Sequence, residues 1–157
     1  MNKPILISLQ QIKDKNPCTD GWKTLLKSKN KTKSDNELFP LSDVLESNGL
    51  EDTLWCLQCV PEYDNLWRKF AWCCAKQVLH NTNDKRVSDC LDVVWEFTEG
   101  NATIEELRSA ESAARSAARL AARSAAYSAA ESAAWSAAES AQKEKLKQIL
   151  NSGEWIK

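Results

Sequence analysis

The chain has 157 residues, with 21 basic and 22 acidic side chains and a formal net charge of −1. This length allows one domain, or one domain with an extension, with a core that needs no disulfide or metal to support it. The balanced charge gives no general attraction to nucleic acid. No run of about 20 apolar residues is present, and the first residues do not resemble a signal peptide. We therefore expect a cytoplasmic protein without nucleic-acid or membrane partners.

The first quarter of the chain predicts one helix between less regular segments. The apolar run at 5–9 is consistent with either a short strand or an arm packed on the core. Thr19 or Asp20 can cap a helix whose apolar residues stand three to four apart, at Trp22, Leu25 and Leu26. The lysine-rich segment that follows, 27–33, favours a solvated loop over a phosphate-binding patch, because no aromatic residue is interleaved.

Turn and cap residues predict four more helices up to residue 100, over 40–48, 50–60, 61–80 and 85–99. Pro40 is expected to open the first of them, and Gly49 and Gly100 are expected to stop the helices that precede them. In the helix over 50–60, the apolar side chains, Leu54 among them, are expected to face inward. No convincing pair of strands is evident. We therefore predict an all-α fold.

An alanine-rich repeat organises the C-terminal third. Residues 109–141 contain 16 Ala and eight Ser, with no Gly or Pro. Because Ala is the strongest helix former, this composition predicts a continuous helix from about 103 to 151. Thr103 and Glu106 have the spacing of a capping box at its start, and Gly153 is the expected stop. No residue within the repeat would cause a break.

The period of this repeat predicts how the helix packs. Four residues advance about 400° on an α-helix, so the large side chain at every fourth position winds around the axis, unlike the fixed seam of a coiled coil. We expect about five short helices, 1–100, packed on the long Ala/Ser-rich helix, 101–157, as a single domain. A helix with so little side-chain volume needs cover from the rest of the chain or from a second copy, which favours a homo-oligomer.

Six cysteines and one histidine raise the question of a metal, redox or catalytic site. Cys56 and Cys59 form a CxxC, and Cys73 and Cys74 lie near His80. Both segments look like continuous apolar helix, whereas structural zinc prefers CxxC in a turn, and a redox CxxC usually follows a strand. A nucleophile and base, Cys74 and His80, would lack an orienting third group. We interpret the thiols as core groups and expect no metal, no cofactor and no enzymatic activity.

The candidate site is a row of large side chains on the repeat, namely Arg115, Arg119, Arg123, Tyr127 and Trp135. Arginines at i, i+4 and i+8 are stacked neighbours that repel one another unless an anion faces them. One alternative is an internal acid, such as Asp20, Asp52, Asp89 or Asp92. Another is a phosphate or carboxylate ligand, which Arg binds well, with Tyr127 and Trp135 stacking on a base. A protein partner or a second copy is the third.

Four stretches carry a resemblance to a known family: NPCTDGWKTLLK (16–27), LSDVLESNGLEDTLWCLQCV (41–60), KFAWCCAKQVLH (69–80) and EGNATIEELRSAESAARSAA (99–118). Together with the Ala repeat, they resemble the Ala-rich, all-helical immunity protein family of bacteria and phages. That resemblance implies a helical N-terminal half with a long Ala-rich helix, and a protein that protects a cell by binding a toxin. The SAA repeat and the cysteine positions at 69–76 differ from those of relatives, which further weakens a metal site.

Two functions follow as expectations. The first is a non-catalytic inhibitor that binds a protein toxin or a host-defence effector stoichiometrically, as an immunity protein or a phage anti-defence protein. The second is sequestration of a small anionic, nucleotide-like ligand by the Arg row and its aromatic residues. An inhibitor should expose a patch of large apolar residues. A sequestering protein should enclose a pocket with convergent Arg and aromatic groups.

Overall fold

A computed structural model of the protein describes residues 3–79, 83–125 and 131–156, with side chains except at 78, 116–125 and 131–137. This part of the chain is mostly helical, so the predicted helical class is confirmed in outline. The elements are β1 (Leu6–Ser8), α1 (Leu9–Lys13), α2 (Thr19–Ser28), β2 (Leu38–Pro40), α3 (Ser42–Asn48), α4 (Leu50–Cys56), α5 (Asp64–Val78), α6 (Lys85–Thr98), α7 (Ile104–Ala125) and α8 (Glu131–Ser152). Short 3₁₀ helices at Leu57–Cys59 and Pro61–Tyr63 join α4 to α5.

The described chain groups into two compact units. Unit 1 contains residues 1–64 and 143–157, and unit 2 contains residues 65–142. The division that we predicted at residue 100, and the packing of both parts as a single domain, stay predictions.

In unit 1, the two ends of the chain are held together by backbone hydrogen bonds. The last carbonyls of a helix have no partner within the helix. Here the amide of Ile5 donates to the carbonyl of Leu150 at 2.9 Å, and the amide of Lys3 donates to that of Ser152 at 3.2 Å. Ile5 and Leu150 are both fully buried, so these bonds also satisfy backbone groups that water does not reach. The C-terminal turn of α8 is thus part of the core of unit 1.

A two-stranded antiparallel sheet corrects the prediction that no strands pair. β1 and β2 align Leu6 with Pro40, Ile7 with Phe39 and Ser8 with Leu38. Pro40 therefore ends a strand and does not open a helix; α3 begins at Ser42. A proline, which lacks an amide hydrogen, is tolerated in an edge strand. Both alternatives for the N-terminal apolar run hold in part, because it forms a short strand at Leu6–Ser8 and its side chains Ile5, Ile7 and Leu9 are buried in the core.

Two further details of unit 1 differ from prediction. The N-cap of α2 is Cys18, whose Sγ accepts a hydrogen bond from the amide of Gly21 at 3.3 Å, and neither Thr19 nor Asp20 holds that position. The helix predicted over 50–60 ends as an α-helix at Cys56 and tightens into a 3₁₀ turn. Leu54, expected to face inward, is 40% exposed. That expectation was wrong.

In unit 2, small and large side chains set two different kinds of helix packing. α6 lies closely along α7, whose Ala and Ser side chains allow a short separation. α5 contacts α6 through large rings: the centroids of Trp72 and Trp95 are 4.6 Å apart at an interplanar angle of 43°. The Nζ of Lys69 lies 5.2 Å from the centroid of Trp95 and 2.6 Å from a carboxylate oxygen of Glu99. Cation–aromatic and ion-pair contacts therefore add to this interface.

The predicted helix ends of the C-terminal third are confirmed. Thr103 and Glu106 form the capping box: the amide of Glu106 donates to Thr103 Oγ1 at 3.2 Å, and the amide of Thr103 donates to Glu106 Oε2 at 2.7 Å. Gly153, with φ +69°, follows the last residue of α8. The predicted continuity of the helix depends on residues 126–130, which lie outside the described ranges.

Candidate binding pocket

Three helices of unit 1 enclose a pocket of about 240 Å³. α2, α3 and α4 supply most of its wall, and α1 supplies part of its floor. The floor is formed by buried apolar side chains, and two tryptophans that are half-buried stand at its sides. These apolar residues are Ile12, Trp22, Leu25, Val44, Trp55 and Cys56.

The sequence places these side chains by helical spacing. On α2, Trp22 and Leu25 stand three apart and so share a face. On α4, Asp52 and Trp55 have the same relation. Gly49 has φ +87°, a backbone conformation that favours glycine, and it redirects the chain between α3 and α4. Asn48 at the end of α3 and Asp52 at the start of α4 both lie next to Gly21 on α2.

The mouth of the pocket is acidic. Glu51 is exposed and Asp52 is half-buried, and both line the pocket. Neither carboxylate forms an ion pair with a described residue. A basic group nearby is Lys13, whose Nζ lies over the ring of Trp22 at 5.4 Å from the centroid. Lys13 forms no ion pair with either carboxylate, so two acids and an apolar interior stand side by side in this pocket.

The side-chain amide of Asn48 holds Asp52 in place. Asn48 Nδ2 donates to Asp52 Oδ2 at 2.7 Å and to the carbonyl of Gly21 at 2.8 Å. Asn48 thus links the start of α2 to α4, and the carboxylate has a defined direction at the mouth. Gly21 leaves room for it, because a Cβ at that position would lie 2.5 Å from Asp52 Oδ2.

Two thiols line the pocket and differ in their surroundings. Cys18 is exposed, whereas Cys56 is buried in the floor. Burial raises the pKa of Cys56 to about 12, and interactions with Cys59 and Asp52 act in the same direction. Cys56 is therefore protonated at neutral pH and is a poor nucleophile. The prediction of buried thiols is confirmed for Cys56, Cys59 and Cys90 and is wrong for Cys18.

The structure places only part of the predicted Arg row. Arg115 is exposed on α7 and forms no ion pair with a described residue. Arg119 and Arg123 lie in α7 and Trp135 lies in α8, but their side chains, like the whole of Tyr127 and of His80, lie outside the described part. The site that we assigned to this row stays a prediction.

The lysine-rich segment is anchored by acids. Lys31 Nζ lies 2.5 Å from Asp35 Oδ2 and 2.6 Å from Glu37 Oε2. Lys29 pairs with Asp43 and lies over the ring of Phe39. Two of its lysines are therefore paired within the chain, so this part of the segment is more ordered than the solvated loop that we predicted.

Two further features of the described residues concern metal binding and membranes. Nowhere in these ranges do three or more His, Cys, Asp or Glu side chains come together as metal ligands. No helix within them is long and apolar enough to cross a membrane.

Comparison with known proteins gives no match: no family model, no curated protein and no solved structure is significantly similar to the chain. The chemistry of the pocket therefore carries the functional argument. Sequence reasoning assigns its apolar residues to the core and names Asp52 only as a possible internal partner of the Arg row. One local signal did point to it: Gly21 stands inside a helical pattern, and an isolated glycine there often marks a close approach by another group.

Proposed function

We propose that the protein is a non-catalytic binding protein that neutralises a protein toxin or a host-defence effector by stoichiometric binding. The observation that carries this proposal is the pocket of unit 1, which has an apolar floor, two half-buried tryptophans and an open mouth. Such a pocket accommodates an anchor side chain, the kind of residue that dominates the energy of many protein interfaces. Its floor thiol, Cys56, is protonated at neutral pH, which supports binding over nucleophilic catalysis.

The size of the pocket favours a side chain over a whole small molecule. Its volume is about 240 Å³, below the roughly 300–1,000 Å³ of pockets that hold drug-sized ligands. The same helix also carries an exposed apolar side chain, because Leu54 is 40% exposed and stands one turn from Glu51 on α4. An interface with one inserted side chain and an apolar border fits this arrangement.

The class of partner follows from the resemblance to immunity proteins. Action in the cytoplasm is favoured by the cysteines, since all six are unpaired and thiols persist in reducing compartments. We also propose that α7 and α8 belong to one long Ala/Ser-rich helix on which the shorter helices pack, because no Gly or Pro lies between them. A second copy of the chain would cover its small-residue surface.

The proposal is tested by native mass spectrometry of the purified protein after exposure to host lysate. Cys18 is the exposed thiol at the pocket, so a bulky maleimide attached there should obstruct the mouth without disturbing the core. We expect a protein partner at fixed stoichiometry on the unmodified protein and none on the blocked protein. The partner is then purified, and its activity should fall to background at equimolar ratio.

Cys18→Ser is the matched control, because it keeps a helix N-cap and cannot react with maleimide at the mouth of the pocket. It should bind the partner before and after treatment. Retention of the partner by the blocked wild-type protein, or an unchanged activity of the partner in the complex, would contradict the proposal.

A second candidate, sequestration of a small anionic ligand by the Arg row, is favoured by the exposure of Arg115 and its lack of an ion pair with a described residue. The same spectra test it. A retained adduct of a few hundred daltons that is lost in Arg115→Ala would support it, and the absence of any adduct would count against it.

A further inference from the structure

We infer that the segment entering the pocket of unit 1 carries a lysine or arginine beside its apolar anchor, and that Asp52, assisted by Glu51, selects for that charge. This inference rests on the proposed function, because it specifies the chemistry of the partner at the same pocket. The pocket then recognises a segment of a partner protein that is both basic and apolar.

The first support is that the Asp52 carboxylate can accept further hydrogen bonds. One oxygen, Oδ2, accepts the hydrogen bond from Asn48 at 2.7 Å. The other, Oδ1, accepts no hydrogen bond from a described residue. A carboxylate has about four acceptor sites, so Asp52 can accept from a guest without losing its support. Asn48 fixes its position, which reduces the entropy that a bound cation would have to overcome.

The second support is the charge of the two acids at the pocket. Four acids of unit 1 are paired with lysines: Asp35 and Glu37 with Lys31, Asp43 with Lys29, and Glu46 with Lys147 at 3.1 Å. Glu51 and Asp52, the two acids at the pocket, have no such partner among the described residues. Two adjacent unneutralised carboxylates repel an anionic guest and attract a cationic one.

The third support is the apolar surface between the floor and these acids. Trp55 is half-buried and stands one turn from Asp52 on α4. Lysine and arginine lay their aliphatic stems along apolar surface while the charged group stays in water. A basic residue next to the anchor can therefore pass along Trp55 and place its charge at Asp52. A small cation without an apolar anchor would leave the floor of the pocket unfilled.

The test uses three blocked tripeptides that differ only in charge: acetyl-Lys-Leu-Lys-amide, acetyl-Gln-Leu-Gln-amide and acetyl-Glu-Leu-Glu-amide. Each is titrated into the ¹⁵N-labelled full chain while the resonances of Gly21 and of the Trp22 and Trp55 indoles are followed. We expect the lysine peptide to bind about fivefold more tightly than the glutamine peptide, and the glutamate peptide to bind most weakly. Added salt should reduce the difference.

The Glu51→Gln/Asp52→Asn double variant keeps the shape of the mouth and should abolish the preference for lysine. Glu62→Gln/Asp64→Asn is the charge-matched control, because both acids are exposed in unit 1 and do not line the pocket. It should keep the preference. Equal binding of the lysine and glutamine peptides to the wild-type pocket would overturn the charge inference and leave the proposed pocket intact. Absence of binding by all three would overturn both.

Discussion

Gly21 on α2 lies so close to Asp52 on α4 that a Cβ on Gly21 would stand 2.5 Å from Asp52 Oδ2. This contact is possible because glycine has no side chain, and it lets Asn48 join the two helices by bonding both residues. The position of the Asp52 carboxylate at the mouth of the pocket thus depends on the absence of a side chain at Gly21.

Gly21→Ala should displace the Asp52 carboxylate while leaving the fold nearly as stable. Alanine gains up to about 1 kcal/mol in helix propensity, and the nearest atoms that its Cβ meets, Asp52 Oδ2 at 2.5 Å and Cys18 Sγ at 3.0 Å, belong to side chains that can move. We expect the preference for the lysine peptide to fall to that of the double acid variant, with a melting temperature within a few degrees of wild type. Thr24→Ala, an exposed change on the same helix, should leave both quantities unchanged. A preserved peptide preference in Gly21→Ala would show that Asp52 does not act from this position.

The backbone hydrogen bonds between the two chain ends predict that alanine substitution lowers the stability by different amounts at two glycines. Gly100 and Gly153 both have positive φ, +81° and +69°. A Cβ on Gly100 would meet nothing within 4 Å, whereas one on Gly153 would lie 2.5 Å from the carbonyl oxygen of Lys3. Gly100→Ala should cost about 1–2 kcal/mol of backbone strain. Gly153→Ala should cost more in urea unfolding, because the backbone of the N-terminal segment must also move. Equal losses would mean that the two ends are not packed as described.

The thiols should differ in reactivity. At neutral pH, an aromatic disulfide reagent should modify Cys18 rapidly, because it is exposed. Cys56 and Cys74 should react slowly until the protein unfolds, since burial raises the pKa of Cys56 to about 12 and that of Cys74 to about 11. The Cys18→Ser variant should lack the fast phase. Persistence of that phase in the variant would place a second reactive thiol at the surface.

One ion pair predicts a pH dependence of stability. At the start of α6, Asp84 accepts hydrogen bonds from the guanidinium and the amide of Arg86, which lower its pKa from 3.8 to about 2. Because the folded-state pKa is below the unfolded one, Asp84 stabilises the fold above about pH 4 and loses this effect as the pH falls through about 2. Asp84→Asn should therefore melt lower than wild type at about pH 5, with the difference closing near pH 2. A constant difference across this range would contradict the assignment.

Local signals predicted the parts of the fold that depend on neighbours in sequence. The Thr103–Glu106 spacing predicted a capping box because its hydrogen bonds lie within one turn. Gly153 predicted a helix stop for the same reason. The pairing of Ile7 with Phe39 could not be predicted, because both strands have three residues and the contact is formed across α1 and α2.

The pocket was beyond prediction for a similar physical reason. Trp22 and Trp55 have the spacing of core residues, and the sequence does not show how much space three helices leave between them. The N-cap at Cys18 was missed because sulfur is a weak acceptor and Thr19 is the more frequent capping residue. Leu54 is apolar and was expected to face inward, but the buried residues of α4 are Thr53 and Cys56, which stand three apart on one face of the helix and leave Leu54 on the other.

The most direct measurement of the central claim is the rate at which iodoacetamide alkylates Cys18 in the free protein and in its complex with the captured partner. Cys18 lines the mouth of the pocket, so a partner side chain seated there must cover it. We predict a rate at least about tenfold lower in the complex, with wild-type kinetics restored when the partner is removed. An unchanged rate in a complex of confirmed stoichiometry would show that the partner binds elsewhere on the molecule.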